Sequence, residues 1–250
     1  MADSATVPAH PPASHGSMAR PTVQAPPISP GKVAIWLFLA TEVMFFTGLI
    51  GTYIVLRAGS SPTAYSNLYS PATDLSQVVA SPPEGLLTYS WPKPYDPATN
   101  PLSIDLTAVN TFILICSSLT MVLALSAFQR NRRWLGPAYL TATALIGAVF
   151  LGVQVYEYSQ LMYVHHYPAG VSASGHFTPD VSLFASCFFT MTGFHGAHVA
   201  AGVVALSILA LRSWFGAYHS TNYNPVEIVG LYWHFVDLVW ILLFTVVYLI

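Results

Sequence analysis

The stretch "GLYWHFVDLVWILLFTVVYLI", residues 230–250, decides the fold. Its 21 residues are almost all apolar, and as a helix they would cross the roughly 30 Å hydrocarbon core of a bilayer. Inside it sit His234 and Asp237, one turn apart and among aromatic side chains. Ionisable groups at that depth are costly, so each needs a partner or a task. Upstream, "TGFHGAHVAAG" at residues 192–202 repeats the spacing with His195 and His198. These groups hold a metal, move protons, or lock helices together.

Composition narrows the class. Of 250 residues, 54% are hydrophobic and 7% charged, whereas soluble domains carry about 25% charged residues. Apolar runs exceed the length of a barrel strand and do not alternate, which points to membrane-spanning helices rather than an outer-membrane-type barrel. A net charge of −2 with no basic patch excludes a nucleic-acid partner. Cys116 and Cys187 both fall in apolar spans and read as small buried hydrophobes, not as a disulfide.

Residues 1–30 hold seven prolines among small polar residues, with His10 and His15, and contain no apolar run. Such a segment cannot bury a core and is expected to be a disordered tail; it also lacks the apolar region of a cleavable signal. Residues 31–250 are expected to form one transmembrane domain of five helices, near 31–57, 107–129, 137–163, 180–212 and 225–250. Arg20, Lys32, Arg130, Arg132, Arg133 and Arg212 fall on one side if the spans alternate, and only Arg57 and Lys93 on the other. The positive-inside rule then sets the N-terminus in the cytoplasm and the C-terminus outside. The connection at 58–106 is long and rich in proline, which rules out a regular helix there and leaves a passive flap or a docking surface.

Glu42 lies eleven residues into the first span, roughly 16 Å deep at 1.5 Å per residue. It is expected to be neutral or to face a polar pocket. Glu157, His195, His198, His234 and Asp237 complete the intramembrane set, with Glu227 at the start of the last span. A metal site is one reading, because residues three apart share a helix face. However, no helix carries the Glu-x-x-His pattern of carboxylate-bridged di-iron bundles. A proton relay is the second reading. Interhelical hydrogen bonds that fix packing are the third and preferred one. Gly193, Ala197 and Ala201, and again Gly196 and Ala200, recur every four residues and predict a closely packed fourth helix. Trp36, Trp233, Trp240 and Tyr232 are expected to supply bulk and interfacial anchoring. No dinucleotide fingerprint, phosphate loop or nucleophile elbow is present.

Five strings carry a resemblance: "FLATEVMFFTGLIGTYIVLR" (38–57), "NTFILICSSLTMVLA" (110–124), "GVQVYEYSQL" (152–161), "TGFHGAHVAAG" (192–202) and "NPVEIVGLYWHFVDLVW" (224–240). Together they resemble subunit III of haem–copper cytochrome c oxidases, in a short five-helix form without the first two of the usual seven helices. The resemblance implies a chain with no catalytic residue, haem, copper or other metal of its own, the redox cofactors lying in partner subunits. It implies packing on the catalytic subunit I and contact with other oxidase subunits. Bound phospholipid and support of proton uptake and turnover stability would follow, in a bacterial inner membrane. Glu42 matches the family's intramembrane, carbodiimide-reactive glutamate. Arg212 falls where relatives place a cytoplasmic-side arginine against lipid phosphate. Glu227, His234 and Asp237 match polar positions of the last helix. As a docking surface, the 58–106 loop would meet cytochrome c or another electron-donor complex. The accessory subunit of a nitric oxide reductase is the alternative within the same fold. A stand-alone transporter would show inverted repeats and broken midplane helices, and neither is visible.

Overall fold

The computed structural model describes residues 29–59, 102–164, 176–179 and 183–249. The Pro-rich tail expected at 1–30, save its last two residues, lies outside them, as does most of the 58–106 connection. Among the described residues there are five long helices and no strand: α1 (Pro30–Gly59), α2 (Ile104–Gln129), α3 (Leu135–Ser159), α4 (Leu183–Trp214) and α5 (Asn224–Phe244). Each is long and apolar enough to cross a membrane. α3 and α5 run on into single π-helical turns, Gln160–Val164 and Thr245–Leu249. The connection expected at 58–106 is correspondingly shorter, because α1 continues to Gly59 and α2 begins at Ile104.

Local sequence explains where the helices stop. Past α2, Asn131 takes the left-handed conformation (φ 55°), which asparagine tolerates. Its amide donates to the Phe128 carbonyl at 3.0 Å, and that of Arg132 to the Ala127 carbonyl at 2.8 Å. Past α4, Gly216 does the same at φ 79°. The Gly216 amide reaches the Ser213 carbonyl (3.0 Å) and the Ala217 amide the Arg212 carbonyl (3.2 Å). Both ends are Schellman closures, which use up orphan carbonyls of the last turn. At the start of α1, Ser29 caps the Lys32 amide (3.3 Å to the hydroxyl) ahead of Pro30.

α2, α3, α4 and α5 pack as a closed four-helix bundle, each against its two neighbours, and α1 lies outside against α5 and α4. Burial tells the same story: 11% of the most apolar stretch of α1 is buried, against 33–39% in the other four. The keystone is Trp233 of α5. Its ring fills the space left by two glycines, where a Cβ would come within 2.5 Å of the ring at Gly147 of α3 and 2.8 Å at Gly202 of α4. Its indole N–H donates to Ser117 of α2 at 2.9 Å. Trp240, one further turn pair along, donates to Thr111 of α2 at 2.9 Å.

Three expectations need correction. Ala197 and Ala201 are exposed, so the Gly193–Ala197–Ala201 row faces outward. The small residues that bring α4 close are Gly196, against the Gln154 amide, and Gly202, against Trp233. Trp233 and Trp240 are core side chains, not interfacial anchors, whereas Trp36 on α1 is 61% exposed. Cys116 and Cys187 are unpaired and only half-buried.

Candidate intramembrane polar site

α1 reaches the bundle through one polar contact at mid-helix. Glu42 Oε2 lies 3.1 Å from His198 Nε2 on α4. The other ring nitrogen, Nδ1, sits 2.8 Å from the Phe194 carbonyl one turn earlier. That pairing makes Nδ1 the protonated donor, so Nε2 either accepts from a protonated Glu42 or, when itself protonated, faces its carboxylate. Tyr232 of α5 donates its hydroxyl to the His198 carbonyl at 3.0 Å, so three helices meet at this residue. Phe46 places its edge on the His198 ring, and Phe45 its edge on Phe194. The pair is neither buried nor open, with side chains 17% (Glu42) and 19% (His198) exposed.

The interior polar groups form a second set, arranged along one seam of α2. Near one end Glu157 of α3 accepts from Thr107 (3.1 Å) and from Tyr248 (3.4 Å). Thr111 and Ser117 take the two indoles described above. Ser118 donates to Asp237 Oδ2 at 2.6 Å, and Thr120 pairs with Thr143 of α3 at 2.8 Å. Hydroxyls therefore bridge the carboxylates and indoles from the inward half of α2.

His195 is fully buried, stacked on Trp240 (ring centroids 4.8 Å) and met edge-on by Phe150. It bonds neither a carboxylate nor a backbone carbonyl. His234 is half-buried; Asp237, one turn on, bonds Ser118 rather than this histidine. Glu227 pairs with Lys32 at 2.9 Å, where the first turns of α1 and α5 meet. Arg212 is exposed at the end of α4, with no described carboxylate within ion-pair distance. At the same end Trp134 and Trp214 lie ring to ring at 6.1 Å.

The structure thus joins Glu42 to His198, two residues that sequence reasoning had kept apart. It leaves His195, His234 and Asp237 unbonded to one another. The hydroxyl set of α2 was missed, although its signal is visible: Thr107, Thr111, Ser117, Ser118 and Thr120 all stand within one apolar span. Among the described residues no three His, Cys, Asp or Glu side chains are grouped so as to hold a metal ion.

Comparison with known proteins places this arrangement in a family. The family described as cytochrome c oxidase subunit III matches residues 28–250. The cytochrome c oxidase subunit 3 of Alkalihalophilus pseudofirmus is 32% identical over 217 residues, covering 87% of this chain and 85% of the relative. That of a Synechocystis species is 36% identical, covering 86% and 73%. The cytochrome bo(3) ubiquinol oxidase subunit 3 of Pseudomonas aeruginosa is 31% identical, covering 86% and 82%. The chain belongs to the cytochrome c oxidase subunit III family and is a transmembrane subunit III of a haem–copper oxidase, of the cytochrome c or the quinol type.

Proposed function

We propose that this chain is the non-redox subunit of a proton-pumping cytochrome c oxidase in a bacterial inner membrane. It packs on catalytic subunit I, binds phospholipid, and sustains proton uptake and turnover stability during oxygen reduction. One observation carries the reading. Four of the five carboxylates on the described helices have a hydrogen-bond or ion-pair partner on another element: Glu42 with His198, Glu157 with Thr107 and Tyr248, Asp237 with Ser118, Glu227 with Lys32; the fifth, Asp105, is exposed in the first turn of α2. The four are spent on joining helices, while the outward faces stay apolar, as Met44, Val55, Leu119, Leu145 and Leu211 illustrate. Such faces suit lipid tails and a membrane partner.

The positive-inside count supports a cytoplasmic N-terminus and an outer C-terminus. Arg212 then sits at the cytoplasmic surface, where its planar fork suits a lipid phosphate. The neighbouring Trp134–Trp214 pair suits headgroup depth. Residues 1–30 serve as a tail, and the 58–106 connection as an outer loop that meets cytochrome c or another donor. The Pseudomonas relative's ubiquinol oxidase name favours a second reading, in which the same scaffold serves a quinol-oxidising complex.

The experiment is purification of the intact oxidase carrying His195→Ala or Asp237→Ala. Subunit III should dissociate from subunit I at lower detergent while the haem spectrum stays unchanged. Full retention of subunit III with lost oxygen reduction would overturn the packing role and favour a direct proton relay. A structure in native lipid that pairs Arg212 only with protein carboxylates would remove the headgroup assignment.

A further inference from the structure

The centre of the α2–α5 bundle contains three neutral polar side chains that do not complete one another. Asn110 of α2 is 4% exposed, Gln154 of α3 7%, and His195 of α4 0%. The Asn110 amide donates to the Phe150 carbonyl at 3.3 Å, and the Gln154 amide to the Thr192 carbonyl at 2.9 Å. Those two carbonyls fix which way each amide points, so the atom left over is an oxygen in both cases. Asn110 Oδ1, Gln154 Oε1 and both His195 ring nitrogens have no hydrogen-bond partner.

The three lie in one layer. Asn110 bonds the backbone of Phe150, whose ring meets His195 edge-on at 6.1 Å. Gln154 bonds the carbonyl of Thr192, one turn before His195, and its Oε1 lies 2.9 Å from where a Cβ of Gly196 would stand. Nearby hydroxyls are already committed as donors. Thr192 reaches the Phe188 carbonyl, Thr111 the Thr107 carbonyl and Ser117 the Leu114 carbonyl. The Trp240 indole donates to Thr111.

We propose that this layer binds an internal water molecule, which joins α2, α3 and α4 through Asn110, Gln154 and His195. Water has two donors and two acceptors. It donates to Asn110 Oδ1 and Gln154 Oε1 and accepts from the N–H of a neutral His195, closing three of the four open positions. Buried waters typically make about three hydrogen bonds to groups of this kind. A cation fits less well, because no carboxylate stands in the layer to balance its charge. The inference concerns the bundle interior alone, so it stands or falls independently of the lipid and subunit contacts proposed above.

The direct test is a map of the intact oxidase in native lipid, at a resolution that shows ordered waters. The expected result is a peak about 2.7–3.2 Å from a His195 ring nitrogen and from both amide oxygens. Direct bonds between these side chains, with no peak between them, would overturn the proposal. A double-mutant cycle of Asn110→Leu and His195→Phe gives a second readout, the temperature at which subunit III leaves the intact oxidase. Two side chains bridged by one water should give a double variant whose shift is smaller than the sum of the single shifts. Strict additivity would count against the bridge. If either variant fails to assemble, Asn110→Ala and His195→Leu, which also remove the bonding groups, complete the same cycle.

Discussion

Glu42 and His198 stand 156 residues apart in the chain and 3.1 Å apart in space. Their bond is a mid-helix tie between α1 and the bundle, and a conservative substitution separates its hydrogen bonding from its charge. Glu42→Gln keeps a group that can accept from or donate to the imidazole, and subunit III should remain on the oxidase. The half-buried carboxyl of the parent chain should react with a hydrophobic carbodiimide. The glutamine variant should not, and mass spectrometry of the labelled subunit reads the difference. Ser118 makes the second residue-scale prediction. It is the donor that Asp237 Oδ2 has, and Asp237 Oδ1 has none. Ser118→Ala should therefore cost about 1–3 kcal/mol, the penalty for an acceptor left buried and unmatched. Thermal release of subunit III from the complex is the measurement.

Among the helices, α5 is organised by its tryptophans and α3 and α4 by the glycines that receive them. Gly147→Ala would set a methyl 2.5 Å from the Trp233 ring and 2.8 Å from Val203. Neither the ring, tied to Ser117, nor the packed valine can retreat freely. Overpacking of this kind costs about 1–3 kcal/mol. On the same helix Gly152 has open space where its Cβ would stand. Gly152→Ala should be neutral or slightly stabilising, because alanine restricts the unfolded chain and favours helix. Comparing the unfolding midpoints of the two variants isolates the close approach from the general effect of adding a methyl.

For the molecule as a whole, the question is how α1 stays on a bundle that is otherwise closed. Beside the hydrogen bond from the Ser29 hydroxyl to Asn224 Oδ1 (3.3 Å) at the start of the helix, two ionisable pairs tie α1 to the bundle. The Lys32–Glu227 pair has side chains 33% and 28% exposed near the helix ends, where surface ion pairs contribute little, about 0–1 kcal/mol. Glu42–His198 is the less exposed of the two and lies deeper along the helix. Lys32→Ala should thus leave retention of subunit III at rising detergent nearly unchanged. Glu42→Leu, which strips His198 of its partner, should release it earlier. A larger effect of Lys32→Ala would mean that α1 is held by its end rather than by its middle.

Sequence alone determined the number, placement and length of the membrane-spanning helices among the described residues. The five expected spans agree with the observed ones to within a few residues at most ends, because the length of an apolar run is a property of the chain itself. The closures at Asn131 and Gly216 were not anticipated, although an asparagine or glycine just past a helix end is their local signal. The positions of Glu42, Glu157, His195, His198, His234 and Asp237 were legible too, since charged and polar residues stand out in apolar spans. Their partners were not. An interhelical bond depends on how two helices are rotated about their axes, and all five helices are apolar nearly all round. Little periodicity was left in the sequence to say which face turns inward. That choice was made in three dimensions, by Trp233 settling against Gly147 and Gly202. Once those rings were seated, the α2 hydroxyls faced the core, Ala197 and Ala201 faced out, and Glu42 met His198 instead of solvent or lipid.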